Sequence, residues 1–345
     1  METNNTAPLR EVWYFALPGF RLPAGKMVGK TILDEPILFG RDASGQVFAL
    51  KDVCPHRGIP LSCGRYDGKE VECCYHGWRF GATGACTEIP SLVAGQEVDL
   101  GAFKVASYRV REVQGNIWVF IGENPEGAPE IPTLPDIGER GADLHEEFRF
   151  PAPIDHAVIG LMDPAHGPYV HRGWWWRNAA SMHEKAKAFG PSPWGFTMLR
   201  HPPSRNSRAY KILGGERTTE ISFRLPGVRI EHVQAGKHTL VNLTVLTPVS
   251  ATETEVHHLM YWTLPWLSWV KPLLRPVVRM FLNQDKKVVV EQQRGLKHNP
   301  TLLLINDADT QAKWYYRLKQ EYARSRAEGR AFENPVTERV LRWRS

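Results

Sequence analysis

Short runs of apolar residues broken by polar and turn-forming ones fill the first third of the chain. Residues 35–42 (EPILFGRD), 46–53 (QVFALKDV), 108–115 (YRVREVQG) and 116–123 (NIWVFIGE) are rich in β-branched and aromatic side chains, with Gly, Asp or Asn between them. That pattern predicts an antiparallel β domain ending near Glu123. Residues 124–144 (NPEGAPEIPTLPDIGERGADL) hold four prolines and no apolar periodicity, which predicts a crossing between domains. Farther on, residues 216–233 (ERTTEISFRLPGVRIEHV) and 237–264 (KHTLVNLTVLTPVSATETEVHHLMYWTL) alternate as long strands do.

Two helices are predicted near the end. Residues 264–282 (LPWLSWVKPLLRPVVRMFL) form the most apolar stretch, yet three positive charges and three prolines make it a poor spanning helix. Lys271, Arg275 and Arg279 recur every four residues and so share a helix face. A half-buried helix with a solvated stripe is expected; the alternative is a docking surface for a membrane or an acidic partner. Residues 305–326 (INDADTQAKWYYRLKQEYARSR) read as an amphipathic helix in which Trp314 and Tyr315 serve packing.

Composition narrows the classes. At 345 residues the chain is long for one core, so two domains are expected. Twelve tryptophans suggest large apolar contacts or an aromatic-lined pocket. The formal charge of +6 is mild and no Lys/Arg block occurs, which argues against nucleic-acid binding. The first residues, METNNTAPLREVWYFALPGF, lack a basic segment followed by a long apolar run, so a cytoplasmic location is expected, without a transmembrane segment. Five cysteines is an odd number, and without export a disulfide framework gives way to metal chemistry.

Four of those cysteines fall within residues 54–76, CPHRGIPLSCGRYDGKEVECCYH. Cys54-Pro-His56 is C-x-H; sixteen residues later, Cys73-Cys-Tyr-His76 is C-x2-H. Zinc fingers usually draw ligands as C-x2-4-C and H-x3-5-H, whereas here each loop mixes thiolate and imidazole. A two-iron, two-sulfide cluster with two cysteines on one iron and two histidines on the other fits better, and its imidazoles raise the reduction potential. Gly58, Gly64 and Gly77 are permissive turn positions that let backbone N–H groups approach the sulfurs, and Pro55 stiffens the first loop. Only Cys73, not Cys74, gives the C-x2-H spacing. Cys63, Cys74 and Cys86 are expected as buried free thiols.

A second constellation lies in residues 161–171, LMDPAHGPYVH, where Asp163, His166 and His171 are spaced D-x2-H-x4-H. Residues three apart share a helix face, so Asp163 and His166 point the same way. His171 joins them only if the backbone is distorted, and Gly167-Pro168 sits between the histidines. The alternative is a plain helix start, with Asp163 as N-cap and Pro164 at N1.

The segments VCPHRG and CCYHGW resemble the Rieske domain of the terminal oxygenases of the Rieske non-heme iron family. Proline usually follows the second cysteine there; this chain has Cys74. The resemblance extends over residues 12–125, 155–175 and 280–320. It implies an α+β fold: an N-terminal antiparallel β Rieske domain (10–124), a linker (125–144), and a helix-grip-like catalytic domain (145–345) with an antiparallel sheet and C-terminal helices. It implies that Cys54, His56, Cys73 and His76 hold the [2Fe–2S] cluster, and that His166, His171 and a downstream carboxylate hold a mononuclear Fe(II). Asp285, in NQDKKVVVEQQRGL, matches the family's carboxylate ligand. Glu291 is the second candidate, because the Asp-to-Glu spacing is one residue shorter in several relatives. Asp163 is implied to bridge that iron site to His76 of a neighbouring subunit, in a homotrimer or stacked trimers. Many relatives carry Asn three residues before this Asp; here Gly160 stands there, and His156 is a group that could fill the space.

The implied chemistry uses O2 and electrons delivered from NAD(P)H by a reductase, with or without a ferredoxin. The outcome is hydroxylation of a C–H bond, dihydroxylation of an aromatic bond, or oxidative loss of an O- or N-methyl group. The chain length resembles that of alpha-only members. Residues 171–179 (HRGWWWRNA), with Trp174 to Trp176 and Arg177, either pack beneath the sheet or line a pocket entrance. No dense Arg/Lys group offers a carboxylate anchor, so a small, largely apolar aromatic or polycyclic, steroid-like substrate is expected. The main alternative is a Rieske-type electron-transfer protein without a functional mononuclear site; a redox sensor and a zinc protein are weaker ones.

Overall fold

The structure is a computed structural model that describes residues 7–171, 179–203 and 213–345. It divides into two compact units, Arg10–Ile131 and Pro132–Ser345, the latter joined by the segment ending at Leu9.

The first unit is built from short strands: β1 (Val12–Pro18), β2 (Lys26–Ile32), β3 (Glu35–Arg41), β4 (Val47–Lys51), β5 (Arg65–Tyr66) and β6 (Glu70–Glu72). They are followed by β7 (Arg79–Gly81), β8 (Cys86–Glu88), β9 (Ser107–Tyr108), β10 (Val110–Val113) and β11 (Asn116–Ile121). Three antiparallel sheets result, in the orders β1-β11-β10, β2-β3-β4-β9 and β5-β6-β7-β8. β1 and β11 are buried at every position, because their near-continuous apolar runs (VWYFALP, NIWVFI) leave no polar face for water. Trp118 meets Phe15 edge-on with ring centres 5.5 Å apart, in register across the pair.

The second unit carries one eight-stranded antiparallel sheet. Its strands are β12 (Leu144–Phe150), β13 (Glu184–Ser192), β14 (Gly195–His201), β15 (Arg217–Arg224), β16 (Val228–Ala235), β17 (His238–Ser250), β18 (Glu253–Trp262) and β19 (Arg339–Arg344). Their order is β12-β18-β17-β16-β15-β14-β13-β19, so the long alternating segments of the sequence form its centre. Among the described residues four α-helices accompany it: α1 (Ile154–Met162), the single turn α2 (Gly167–Val170), α3 (Pro265–Leu296) and α4 (Thr310–Glu328). Trp314 and Tyr315 of α4 are buried and pack against Phe196, Phe189 and Phe223, as their place in the amphipathic pattern implies.

α3 is less buried than the sequence pattern suggests. Only Leu267, Leu282 and Val289 are buried, while Trp269 is 87% and Leu273 74% exposed. Arg275 and Arg279, expected as part of a solvated stripe, both reach the buried Glu146 of β12, Arg279 at 3.3 Å. An acid buried on a strand far away in sequence gives these guanidiniums a partner that helical periodicity cannot reveal. Among the described residues no helix is long and apolar enough to cross a membrane.

α1 and α4 are joined by a buried ion pair. Asp155 is fully buried and accepts hydrogen bonds from Lys319 Nζ at 2.7 and 2.9 Å and from Tyr315 at 2.5 Å. Lys319→Met leaves that carboxylate without its cation, so unfolding free energy should fall by about 3–5 kcal/mol. Adding Asp155→Asn should restore much of it, as read from denaturant melts; equal melts for wild type and Lys319→Met would contradict this account.

Candidate functional site

Two hairpin loops in the first unit repeat one backbone plan. In the first, the N–H of Cys54 donates to Ile59 O and the Cys54 carbonyl accepts from Gly58, both at 2.8 Å. In the second, the N–H of Cys73 donates to Trp78 O at 2.8 Å and its carbonyl accepts from Gly77 at 3.0 Å. Gly58 (φ +74°) and Gly77 (φ +71°) make the left-handed step that closes each loop. Gly64 serves differently: its backbone is extended, and a Cβ there would lie 1.9 Å from the Glu72 carbonyl oxygen. It permits close strand approach rather than a turn.

Cys54 and Cys73 are both buried and adjacent, and burial, reinforced by the Cys73 neighbour, pushes the Cys54 thiol up to about 11. His56 stacks on Trp78 at 4.7 Å and meets His76 edge-on at 4.5 Å. Two thiols on the inner side and two imidazoles farther out is the donor set of a Rieske cluster. Cys74 and Cys63 are exposed; only Cys86 of the three spare cysteines is buried as expected. A chain reversal in a five-residue loop leaves its middle positions to solvent, which the sequence pattern does not express. Cys73→Ser should therefore bleach the visible cluster absorption and Cys74→Ser should leave it unchanged. The opposite pair of spectra would move the ligand to Cys74.

In the second unit α1 stops at Met162, and Asp163 turns extended (φ −60°, ψ 119°). The break thus comes before His166, not at Gly167-Pro168, which instead opens α2. Nor is Asp163 an N-cap: it follows α1, and its Oδ1 accepts from the Ala165 N–H at 2.7 Å. This turn aims His166 and His171 at one point, with their Nε2 atoms 3.1 Å apart. Asp285 of α3 completes the group, its Oδ1 3.1 Å from His171 Nε2 and 3.7 Å from His166 Nε2.

The hydrogen bonds fix both tautomers. His166 Nδ1 donates to the Asp163 carbonyl at 2.7 Å, and His171 Nδ1 donates to Gln284 Oε1 at 3.0 Å. Both Nε2 lone pairs therefore face the carboxylate, an arrangement that repels unless a cation sits among them. Phe281 stacks on His171 at 3.5 Å. The residues present fit a two-His-one-carboxylate metal site.

Glu291, the other carboxylate candidate, is exposed and paired with Arg294 at 2.9 Å, away from this group. His156 does not fill the space beside Gly160. It bonds Gln293 at 3.2 Å, and a Cβ on Gly160 would meet only Val289, at 3.9 Å. Trp174, Trp175, Trp176 and Arg177 lie outside the described residues.

The three donors border a cavity of about 410 Å³ between the sheet and α3. Phe196, Met198, Ile221 and Met260 line it from the sheet, and Leu274 and Phe281 from α3. Lys185, Lys187 and Arg229 also border it. Lys185 and Lys187 lie two apart on β13 and Arg229 lies on β16, so the three are not neighbours in the sequence. Lys185 bonds Ser345 Oγ at 2.8 Å, and Arg229 pairs with Glu231 at 3.3 Å. His258 lines the same cavity with Nδ1 2.9 Å from Thr244 Oγ1; burial, helped by the Arg229 charge, pushes its pKa down to about 4. Asn242 Oδ1 and Thr219 Oγ1 border it too, buried and without a hydrogen-bond partner among the described residues. Gln284, Phe281 and these polar groups were not singled out by sequence, which carries no local signal for them.

Comparison with known proteins agrees with this geometry. The family profile described as Rieske [2Fe-2S] domain matches residues 12–109, and that of the vanillate O-demethylase oxygenase C-terminal domain matches residues 160–324. The chloroplastic chlorophyllide a oxygenase of Chlamydomonas reinhardtii is 31% identical over 349 residues, 95% of this chain but 51% of that protein. The oxygenase component of dicamba O-demethylase from Stenotrophomonas maltophilia is 34% identical over 172 residues, 48% of either chain. These alignments thus span about half the length of either relative. The crystal structure of dicamba monooxygenase bound to dicamba shares the fold, with a TM-score of 0.72 over 94% of this chain and 99% of that one at 22% identity. With both domains present in this order, the chain belongs to the Rieske oxygenases.

Proposed function

We propose that this chain is the oxygenase component of a multicomponent system that takes electrons from NAD(P)H through a separate reductase, directly or by way of a ferredoxin. Its reaction is hydroxylation or oxidative demethylation of a largely apolar aromatic or polycyclic substrate. The observation that carries this reading is the convergence of His166, His171 and Asp285 on the edge of an apolar cavity. An electron carrier has no use for a substrate-sized space beside three converged metal donors.

In this reading Cys54, His56, Cys73 and His76 hold the [2Fe–2S] cluster, and His166, His171 and Asp285 hold a mononuclear Fe(II). When bound, these centres supply one-electron transfer and the reductive activation of O2. The chain's own residues do the rest. Gln284 and the Asp163 carbonyl keep the two imidazoles in the tautomer whose Nε2 faces the metal position. Phe281 locks the His171 ring by stacking. The apolar lining excludes water and holds the substrate body. Asn242 Oδ1, a buried acceptor with no partner among the described residues, suits a substrate that donates one N–H or O–H hydrogen bond. His258, neutral at physiological pH, is suited to a second polar contact.

Asp163 is assigned the bridge to His76 of a neighbouring subunit in a homotrimer. Its side chain is 35% exposed and its Oδ2 lies 3.7 Å from His166 Nδ1, so one carboxylate oxygen has room for a second partner. The demethylation branch is supported by the name of the matched C-terminal domain.

The test is product analysis with purified chain, a reductase, NAD(P)H and 18O2, over methoxyaromatics, polycyclic aromatics and sterols. One class should give 18O-labelled product, or formaldehyde in a 1:1 ratio with lost methyl groups, coupled to electron uptake. Cluster reduction with no oxygenated product from any class would favour the electron-transfer alternative.

A further inference from the structure

The donor set of the iron site occurs a second time in this unit. β12 and β18 pair antiparallel with Glu147 opposite His257 and Arg149 opposite Glu255. Strand alternation puts His145, Glu147, Arg149, Glu255 and His257 on one face. Glu146 and His258, also paired in register, belong to the other face, where His258 lines the cavity. The second cluster therefore lies on the side of the sheet away from that cavity.

Its geometry is that of a ligand set. His145 Nε2 lies 3.1 Å from His257 Nδ1, and Glu147 Oε2 lies 3.9 Å from the same atom. One donor atom from each of the three residues lies within 4.8 Å of the other two. Donors held about 2.0–2.2 Å from a tetrahedral ion are about 3.3–3.5 Å apart, so a small closure suffices. The iron-site donors lie 3.1, 3.1 and 3.7 Å apart. The far nitrogen of His257 supplies a second argument. Nε2 lies 3.1 Å from Glu255 Oε2, a carboxylate only 2% exposed and itself paired with Arg149 at 3.1 Å. A buried carboxylate there holds the proton on Nε2, which turns the Nδ1 lone pair toward His145 and Glu147.

We propose that His145 Nε2, His257 Nδ1 and the Glu147 carboxylate form a second metal site, which takes a divalent transition ion and clips the edge strand β12 to β18. Zn2+ is the expected occupant. Two imidazoles and one carboxylate suit it, a water completes four-coordination, and zinc binds such donors more tightly than ferrous iron does.

The experiment is a zinc titration against a chromophoric chelator, with total metals by mass spectrometry and thermal melts, on wild type and on His166→Ala. The His166→Ala chain reports zinc bound elsewhere than in the iron site. Both proteins should bind one zinc per chain at this site and melt at higher temperature with zinc present. His145→Gln and Glu147→Gln should lose that zinc and its melting shift, and Glu255→Gln should weaken binding about 10–100-fold. Glu147 is partly exposed, so its variant keeps the test sound if His145→Gln misfolds. Zinc bound as tightly by Glu147→Gln as by wild type, or no zinc bound by His166→Ala, would overturn the proposal and leave a plain His145–His257 hydrogen bond.

Discussion

His166→Ala is expected to reduce substrate oxygenation by well over about 100-fold while the visible spectrum of the cluster stays unchanged. Loss of a partner that only orients a metal-bound histidine typically costs about 10–100-fold, and removing a ligand itself costs more. His166 Nε2 is one of three donors, and the remaining two, His171 and Asp285, cannot close the face alone. The cluster donors lie in the other compact unit, Arg10–Ile131, so their absorption should not respond. Stopped-flow reduction of the cluster at the wild-type rate, together with no product, is the signature. Retained oxygenation would mean that the iron sits elsewhere.

Asp163→Asn is expected to act on electron delivery rather than on metal content. Its Oδ1 accepts the Ala165 N–H, a bond asparagine also makes, so the turn that aims His166 should survive. What is lost is the negative charge that would hold the protonated ring nitrogen of His76 in a neighbouring subunit. Single-turnover reoxidation of the reduced cluster, with substrate and O2 present, should slow by about 10–100-fold at unchanged iron and sulfide. Reoxidation at the wild-type rate would remove Asp163 from the electron path.

Much of this site is legible in the chain because its chemistry is local. C-x-H and C-x2-H place a thiolate and an imidazole on each of two short loops, and those loops form as the spacing implies. D-x2-H-x4-H brings two imidazoles together, although the backbone does it by ending α1 at Met162 rather than by a kink at Gly167-Pro168. What the chain conceals is long-range. Gln284 orients His171 from 113 residues away, and His145 meets His257 across 112 residues. Arg275 and Arg279 stay largely in solvent, as periodicity implies, yet both also reach Glu146, which periodicity cannot show. Arg229 of β16 joins Lys185 and Lys187 of β13 at the cavity. The His145–His257 pair depends on strand register and the Gln284 and Glu146 contacts on how α3 packs in this unit, and no short segment decides either.

The central claim is that one chain holds both a Rieske cluster and a mononuclear iron. Iron and acid-labile sulfide per chain, measured on anaerobically purified protein, test it most directly. The account predicts about three irons and two sulfides, with zinc counted separately. About two irons and two sulfides, unchanged after ferrous iron is added, would contradict it and leave His166, His171 and Asp285 without their metal.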